Sequence, residues 1–265
     1  MDLIFINPGF DYMIDRIMAF QTEESTAFWS EPLFHFFPQL DREYAESLNF
    51  FERQEYIKRI LGEVYREQKS VIDGKAARYK EHWDRCREQI TSALSDAFEL
   101  DCGTLFNDLR CNVSMNPIEP RFLRERSFDI FYLNSERGAV GEAIHEIIHF
   151  VWFYVWNRLF GDSYDEYESP SLKWIFSEMV IESVMRDPRL SSINPYFPRE
   201  NGGCIYPYFF NMKAGGVLVL DTIDEMYRSC GILDFMKKGY DFCAEHETAI
   251  REHIALYESG GMIGI

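Results

Sequence analysis

Apolar residues fill 15 of the 22 positions from Ala139 to Phe160, a proline-free run (AVGEAIHEIIHFVWFYVWNRLF) that follows the polar Asn134-Ser135-Glu136 and stops at Gly161. This pattern predicts a helix set inside the protein, with the glycine just past its end. A second helix is predicted over Ser171–Met185 (SLKWIFSEMVIESVM), with Ser169 as its cap and Pro170 at its first position. Residues from about Asp41 to Leu100 carry no proline and are rich in Glu, Arg, Lys, Tyr and Leu, which predicts two long helices broken near Asp73-Gly74. Between them, LRCNVSM (109–115) and FDIFYL (128–133) have strand character and are separated by Pro117 and Pro120. Beyond Pro198 come turns at Gly202-Gly203 and Gly215-Gly216, a short apolar run Val217–Leu220, and helices near Thr222–Cys230 and Ile232–Tyr257. The expected fold is α+β and mainly helical. A helical N-terminal lobe spans residues 1–100 and a second lobe 101–265, the two packing as separate lobes or as one compact unit.

Composition narrows the partners. The chain has 265 residues, 46% of them hydrophobic and 16% aromatic, enough for a sizeable core and too apolar for a disordered chain. Its formal charge of −17 repels phosphate backbones and anionic lipid, which excludes nucleic acid and membrane surfaces as expected partners. The opening Met1-Asp2-Leu3-Ile4 lacks a basic n-region and an apolar h-region, and the run Phe150–Trp156 is far shorter than a membrane span. A cytoplasmic location is therefore expected. Six cysteines (86, 102, 111, 204, 230 and 243) form no CxxC pair and read as reduced thiols.

The buried helix carries the chemistry. His145-Glu146-Ile147-Ile148-His149 places two imidazoles at i and i+4, on one helix face, with a carboxylate beside them. Ile144, Ile147, Ile148 and Val151 surround them with apolar surface, so the polar groups need partners. A divalent cation is one such partner; hydrogen bonds to nearby carbonyls are the other. A catalytic zinc needs a third protein donor. Glu178 and Glu182 lie one turn apart on the second helix, among Ile175, Met179, Ile181 and Met185. The acidic stretch Gly161–Pro170, with Asp162, Asp165, Glu166 and Glu168, is an alternative source of that donor.

From Ala139 to Arg186 these residues resemble the gluzincin branch of the zincin metallopeptidases, the group that includes thermolysin. There two histidines of a HExxH helix and a glutamate from a later helix hold one zinc ion. His149 and Glu178 have 28 residues between them, a compatible spacing. The resemblance implies that His145, His149 and Glu178 are ligands, Glu146 is the general base, and Glu182, where an aspartate is more usual, orients a ligand imidazole. It also implies a zincin-like fold, with a small antiparallel sheet preceding the HExxH helix and one of the two strand segments as the edge that holds an extended substrate. The metzincin extension is excluded by Trp152 and Val155, where it needs glycine and histidine. Glu142-x-x-His145 and Glu146-x-x-His149 also fit a di-iron carboxylate bundle, but His35, His82, His246 and His253 supply no matching motif on a second helix. Zinc is preferred.

A donor for the developing oxyanion is sought after the ligand helix. Tyr206 and Tyr208 are the first candidates there, and His246 and His253 the others. The expected function is a zinc-dependent metallopeptidase that hydrolyses a peptide or protein substrate through a metal-activated water with Glu146 as base. The alternative is a non-catalytic or regulatory binding protein of zincin fold.

Overall fold

The computed structural model describes residues 1–162, 167–194 and 204–260; Asp165, Glu166 and the Gly202-Gly203 turn lie outside the described residues. One sheet contains β1 (Leu3–Ile6), β2 (Leu109–Ser114), β3 (Arg121–Phe122) and β4 (Ser127–Phe131), in the order β1-β2-β4-β3. β1, β2 and β4 run parallel and β3 alone is antiparallel, so the expected antiparallel sheet is corrected to a mixed, mainly parallel one. The cause is β1, a four-residue strand too short to stand out in the sequence, whose parallel pairing with β2 needs the long helical crossover that follows it. β4 is buried throughout and β2 everywhere except Arg110, as expected of parallel strands covered on both faces. Both predicted strand segments are therefore interior, and neither is an edge; the edge next to β4 is β3.

Helices make up most of the chain: α1 (Phe10–Met18), α2 (Ala27–Phe36), α3 (Arg42–Ser47), α4 (Phe50–Phe98), α5 (Cys102–Leu105), α6 (Glu136–Phe160), α7 (Leu172–Met185), α8 (Pro188–Ser191), α9 (Val219–Ser229), α10 (Ile232–Glu245) and α11 (Glu247–Glu258). Before α9, β5 (Lys213–Ala214) and β6 (Val217–Leu218) form a hairpin whose turn residues, Gly215 and Gly216, both take the positive φ such a turn requires. Among the described residues no helix is long and apolar enough to cross a membrane.

α4 is a single helix of 49 residues, not two. Asp73 is engaged along the helix by Lys69 at 2.8 Å and by the Asn7 amide at 2.7 Å, so the Asp73-Gly74 pair does not turn the chain. Gly74 costs about 1 kcal/mol in a helix interior. The stripe Ile72, Ala76, Tyr79, Trp83 and Ile90, buried at helical spacing, outweighs it. At the N-terminus Asn49 and Glu52 form a reciprocal capping box.

α4 gives α6 its bed. The Tyr79 hydroxyl and the Lys75 ammonium both donate to the Asn134 carbonyl, at 2.7 and 2.6 Å, fixing the turn that leads into α6. Ser135 caps that helix by accepting from the Gly138 N–H, and Gly161 closes it in the left-handed region. With α4, β4, α7 and α10 all against it, α6 is buried on most of its circumference. α7 starts at Leu172, and Ser171 rather than Ser169 is its cap, accepting from the Trp174 N–H at 3.1 Å. Residues 1–100 thus contribute a strand of the sheet and the helix beneath α6.

Two packing details have measurable consequences. A Cβ on Gly239 in α10 would lie 2.4 Å from the ring of Phe176, which is wedged against Trp152, Trp156 and Phe235. Gly239→Ala is expected to lose about 1–3 kcal/mol by overpacking, more than its helix-propensity gain of about 1 kcal/mol. Urea denaturation checks this, and a variant as stable as the wild type would show that the ring gives way.

Asp129 on β4 sits opposite Asn112 on β2. Its Oδ1 accepts from the Tyr12 hydroxyl at 2.8 Å and the Asn112 amide at 3.0 Å, while Oδ2 is buried without a partner. Burial pushes this carboxyl up to about 6. Because the folded value lies above the unfolded one of about 3.9, the protonated group favours folding below about pH 4, and that contribution is lost as pH rises through 6. Asp129→Asn removes the ionisation and keeps the acceptor. The stability difference between variant and wild type should shift by about 3 kcal/mol in favour of Asn between about pH 4 and pH 8. A difference flat with pH in thermal melts would contradict the assignment.

Candidate metal centre

His145 and His149 leave α6 one turn apart and point at Glu178 on α7. Their Nε2 atoms are 3.1 Å from each other. Glu178 places Oε1 3.3 Å from His149 Nε2 and Oε2 3.6 Å from His145 Nε2. All three side chains are buried, and among the described residues they are the group whose donor atoms converge with the spacing a metal ion needs. His145 Nδ1 is 2.8 Å from the Cys204 carbonyl, a contact that assigns its proton to Nδ1 and leaves Nε2 as an acceptor. In that tautomer the acceptor lone pair of His145 meets His149 Nε2 and a carboxylate at the same point. A ring N–H hydrogen or a cation must lie among them.

The charges respond accordingly. Burial works against a charged His145, but Glu178, Glu146 and Glu142 outweigh it and raise the imidazole to about 9. Burial, aided by the Arg121 guanidinium, brings His149 down to about 3. Glu178 lies well below the usual carboxylate range, because the two imidazoles and Arg121 overcome the opposing effect of burial. A single proton on the imidazole pair therefore holds the place that a cation would take.

Glu146, 6% exposed, points to the side, with Oε1 3.8 Å from His145 Nε2 and Oε2 buried without a partner. Burial pushes this carboxyl up to about 7. A cavity of about 200 Å³ opens onto His145, Glu146 and Glu178, and Tyr206 lines it too. Tyr208 stacks on Tyr206 at 5.3 Å but is not in the cavity wall, and its hydroxyl is buried without a partner. His246 ends α10 and packs on Phe242, and neither it nor His253 lines the cavity.

Of the two acidic residues on α7, Glu178 joins the imidazoles. Glu182 lies one turn further on, its Oε1 3.9 Å from Arg186, while the His145 position that an orienting carboxylate would occupy is taken by the Cys204 carbonyl. In the acidic stretch, Asp162 pairs with Lys173 at 2.8 Å and with the Trp156 indole at 2.7 Å, so it is a structural residue. Glu168 lines the cavity but is outside the converging group.

Three participants escaped sequence reasoning. Arg121, on the edge strand β3, donates from Nη1 to Glu178 Oε1 at 2.9 Å, with a side chain only 8% exposed. Glu119 takes the left-handed backbone conformation and accepts from the Phe131 N–H at 2.6 Å and the Asn134 amide at 2.7 Å, tying the loop before β3 to the turn before α6. The third is the Cys204 carbonyl. Pro117 and Pro120 marked the irregular loop that bears Glu119, but nothing in local sequence paired Arg121 with a glutamate 57 positions away.

No protein-family model, no curated protein and no solved structure matches this chain.

Proposed function

We propose that the chain is a zinc-dependent peptidase of gluzincin type, with His145, His149 and Glu178 as ligands and Glu146 as general base. The observation that carries this reading is the convergence of three buried donors on one point, where only a proton or a cation relieves them. Their chemistry fits zinc: two imidazole nitrogens and one carboxylate oxygen, beside a cavity that His145 and Glu178 line. A zinc ion held there supplies Lewis-acid activation of a water molecule and of the scissile carbonyl.

The chain's own groups do the rest. Glu146, poised by burial near neutrality and open to the cavity, takes the proton of the attacking water and passes it to the leaving amine. Arg121 holds Glu178 as an anion turned toward the imidazoles. The Cys204 carbonyl fixes the ring of His145. Tyr206, in the same wall, is the candidate donor to the oxyanion.

A purely structural zinc in a binding protein would be closed by a fourth protein donor. The unpartnered Oε2 of Glu146 beside an open cavity favours catalysis instead. Protein stripped with a chelator and dialysed against zinc is expected to take up one equivalent. Failure to bind zinc would remove the reading.

A further inference from the structure

The cavity beside the three ligands is walled by two kinds of group. Phe20, Trp29, Trp174 and Tyr206 give it aromatic faces, with Trp29 and Trp174 each packed against Tyr206, at 5.5 and 5.8 Å. Glu119, Glu146, Glu168 and Glu178 give it four carboxylates. Against them stands one guanidinium, Arg121, which is spent on Glu178. A divalent cation on the imidazole pair still leaves carboxylate charge in the wall unmatched. Glu146 makes the imbalance concrete, since it is more than nine-tenths buried, lines the cavity and has an Oε2 without a hydrogen-bond partner. Glu119 responds in the same sense, its carboxyl raised well above the usual range by burial and by Glu142.

We infer that this cavity takes an organic cation of the substrate, an ammonium or guanidinium on an apolar stem, so that peptides with a lysine or arginine next to the scissile bond are the preferred class. This rests on the peptidase reading and names its substrate. An apolar stem fits between aromatic faces, which also attract a cation directly. Glu119 in the wall and Glu168 at the rim receive the charge, in a cavity where low dielectric strengthens the pairing. An acidic side chain would meet the same carboxylates as repulsion, so selectivity has both an attractive and a repulsive part.

The test compares blocked pentapeptides, acetyl-Ala-Ala-X-Ala-Ala-amide, in which X is lysine, arginine, norleucine or glutamate. Norleucine keeps the stem of lysine without its charge. Hydrolysis by the zinc-loaded wild type is followed together with binding to zinc-loaded Glu146→Gln, read by tryptophan fluorescence. Lysine or arginine is expected to exceed norleucine by tenfold or more and glutamate by about a hundredfold, a margin that shrinks in high salt. Glu119→Gln, whose remaining oxygen can still accept from the Phe131 N–H and the Asn134 amide, and the exposed Glu168→Gln are each expected to cut the lysine-to-norleucine ratio severalfold. A parallel set with a free α-amine shows which cation is read. Preference for the free amine regardless of X would overturn the side-chain assignment.

Equal handling of lysine and norleucine, or an unchanged ratio in both glutamine variants, would also overturn it. Hydrolysis without such a preference defeats this inference alone. A lysine preference in binding, with no hydrolysis by the wild type, supports it and defeats the peptidase reading.

Discussion

Glu146→Gln is expected to bind one equivalent of zinc as the wild type does, and to lose peptide hydrolysis by roughly a thousandfold. The glutamine keeps the volume of the side chain in its buried niche and cannot take up a proton. Zinc should be retained because Glu146 is outside the converging group and its nearer oxygen is 3.8 Å from His145 Nε2. Metal content by mass spectrometry and turnover of a fluorogenic peptide mixture measure the two halves separately. Hydrolysis that survives in the variant would exclude Glu146 as the base. Loss of zinc together with activity would mean that the carboxylate is itself a ligand.

Glu178→Gln should have the largest effect on the protein as a whole. Its carboxylate neutralises Arg121 and faces both imidazoles, at 1% exposure. Without that charge the guanidinium is buried with no counterion, a change that costs about 3–5 kcal/mol. For a chain of this size the metal-free melting temperature should fall by roughly 10 °C. Zinc affinity should drop at least a hundredfold, because one of three protein donors is replaced by a weak neutral one. The double variant with Arg121→Met should recover much of the metal-free stability and none of the zinc affinity. That split separates the two jobs of the residue, and a single variant that melts like the wild type would deny the Arg121 pairing its weight.

Much of this was readable in the sequence where one helix or one turn sufficed. The i, i+4 histidines, the apolar run around them, the Gly161 stop and the Gly215-Gly216 turn are local facts of periodicity and backbone freedom. That Glu178 and Glu182 needed a positive partner was legible because carboxylates on an apolar helix are costly, while the choice of Glu178 came from the gluzincin resemblance alone. What could not be read depends on pairing between distant segments. β1 is four residues long and gains its identity only by lying beside β2. Arg121 and Glu119 look like loop charges until the sheet edge and the loop before it bring them to α7 and α6. The break expected at Asp73-Gly74 failed for a related reason: the local propensity was real, and tertiary burial along α4 exceeded it.

The pairing of Leu3 with Leu109 bears on how this molecule assembles. β1 has no strand to pair with until more than a hundred further residues have been made. α4 can grow meanwhile from its own local contacts, but β1 and its partner meet only after the segment bearing β2 emerges. Pairing of β1 therefore waits on the segment bearing β2, and until then this apolar strand presents bare backbone groups for chaperones to shield.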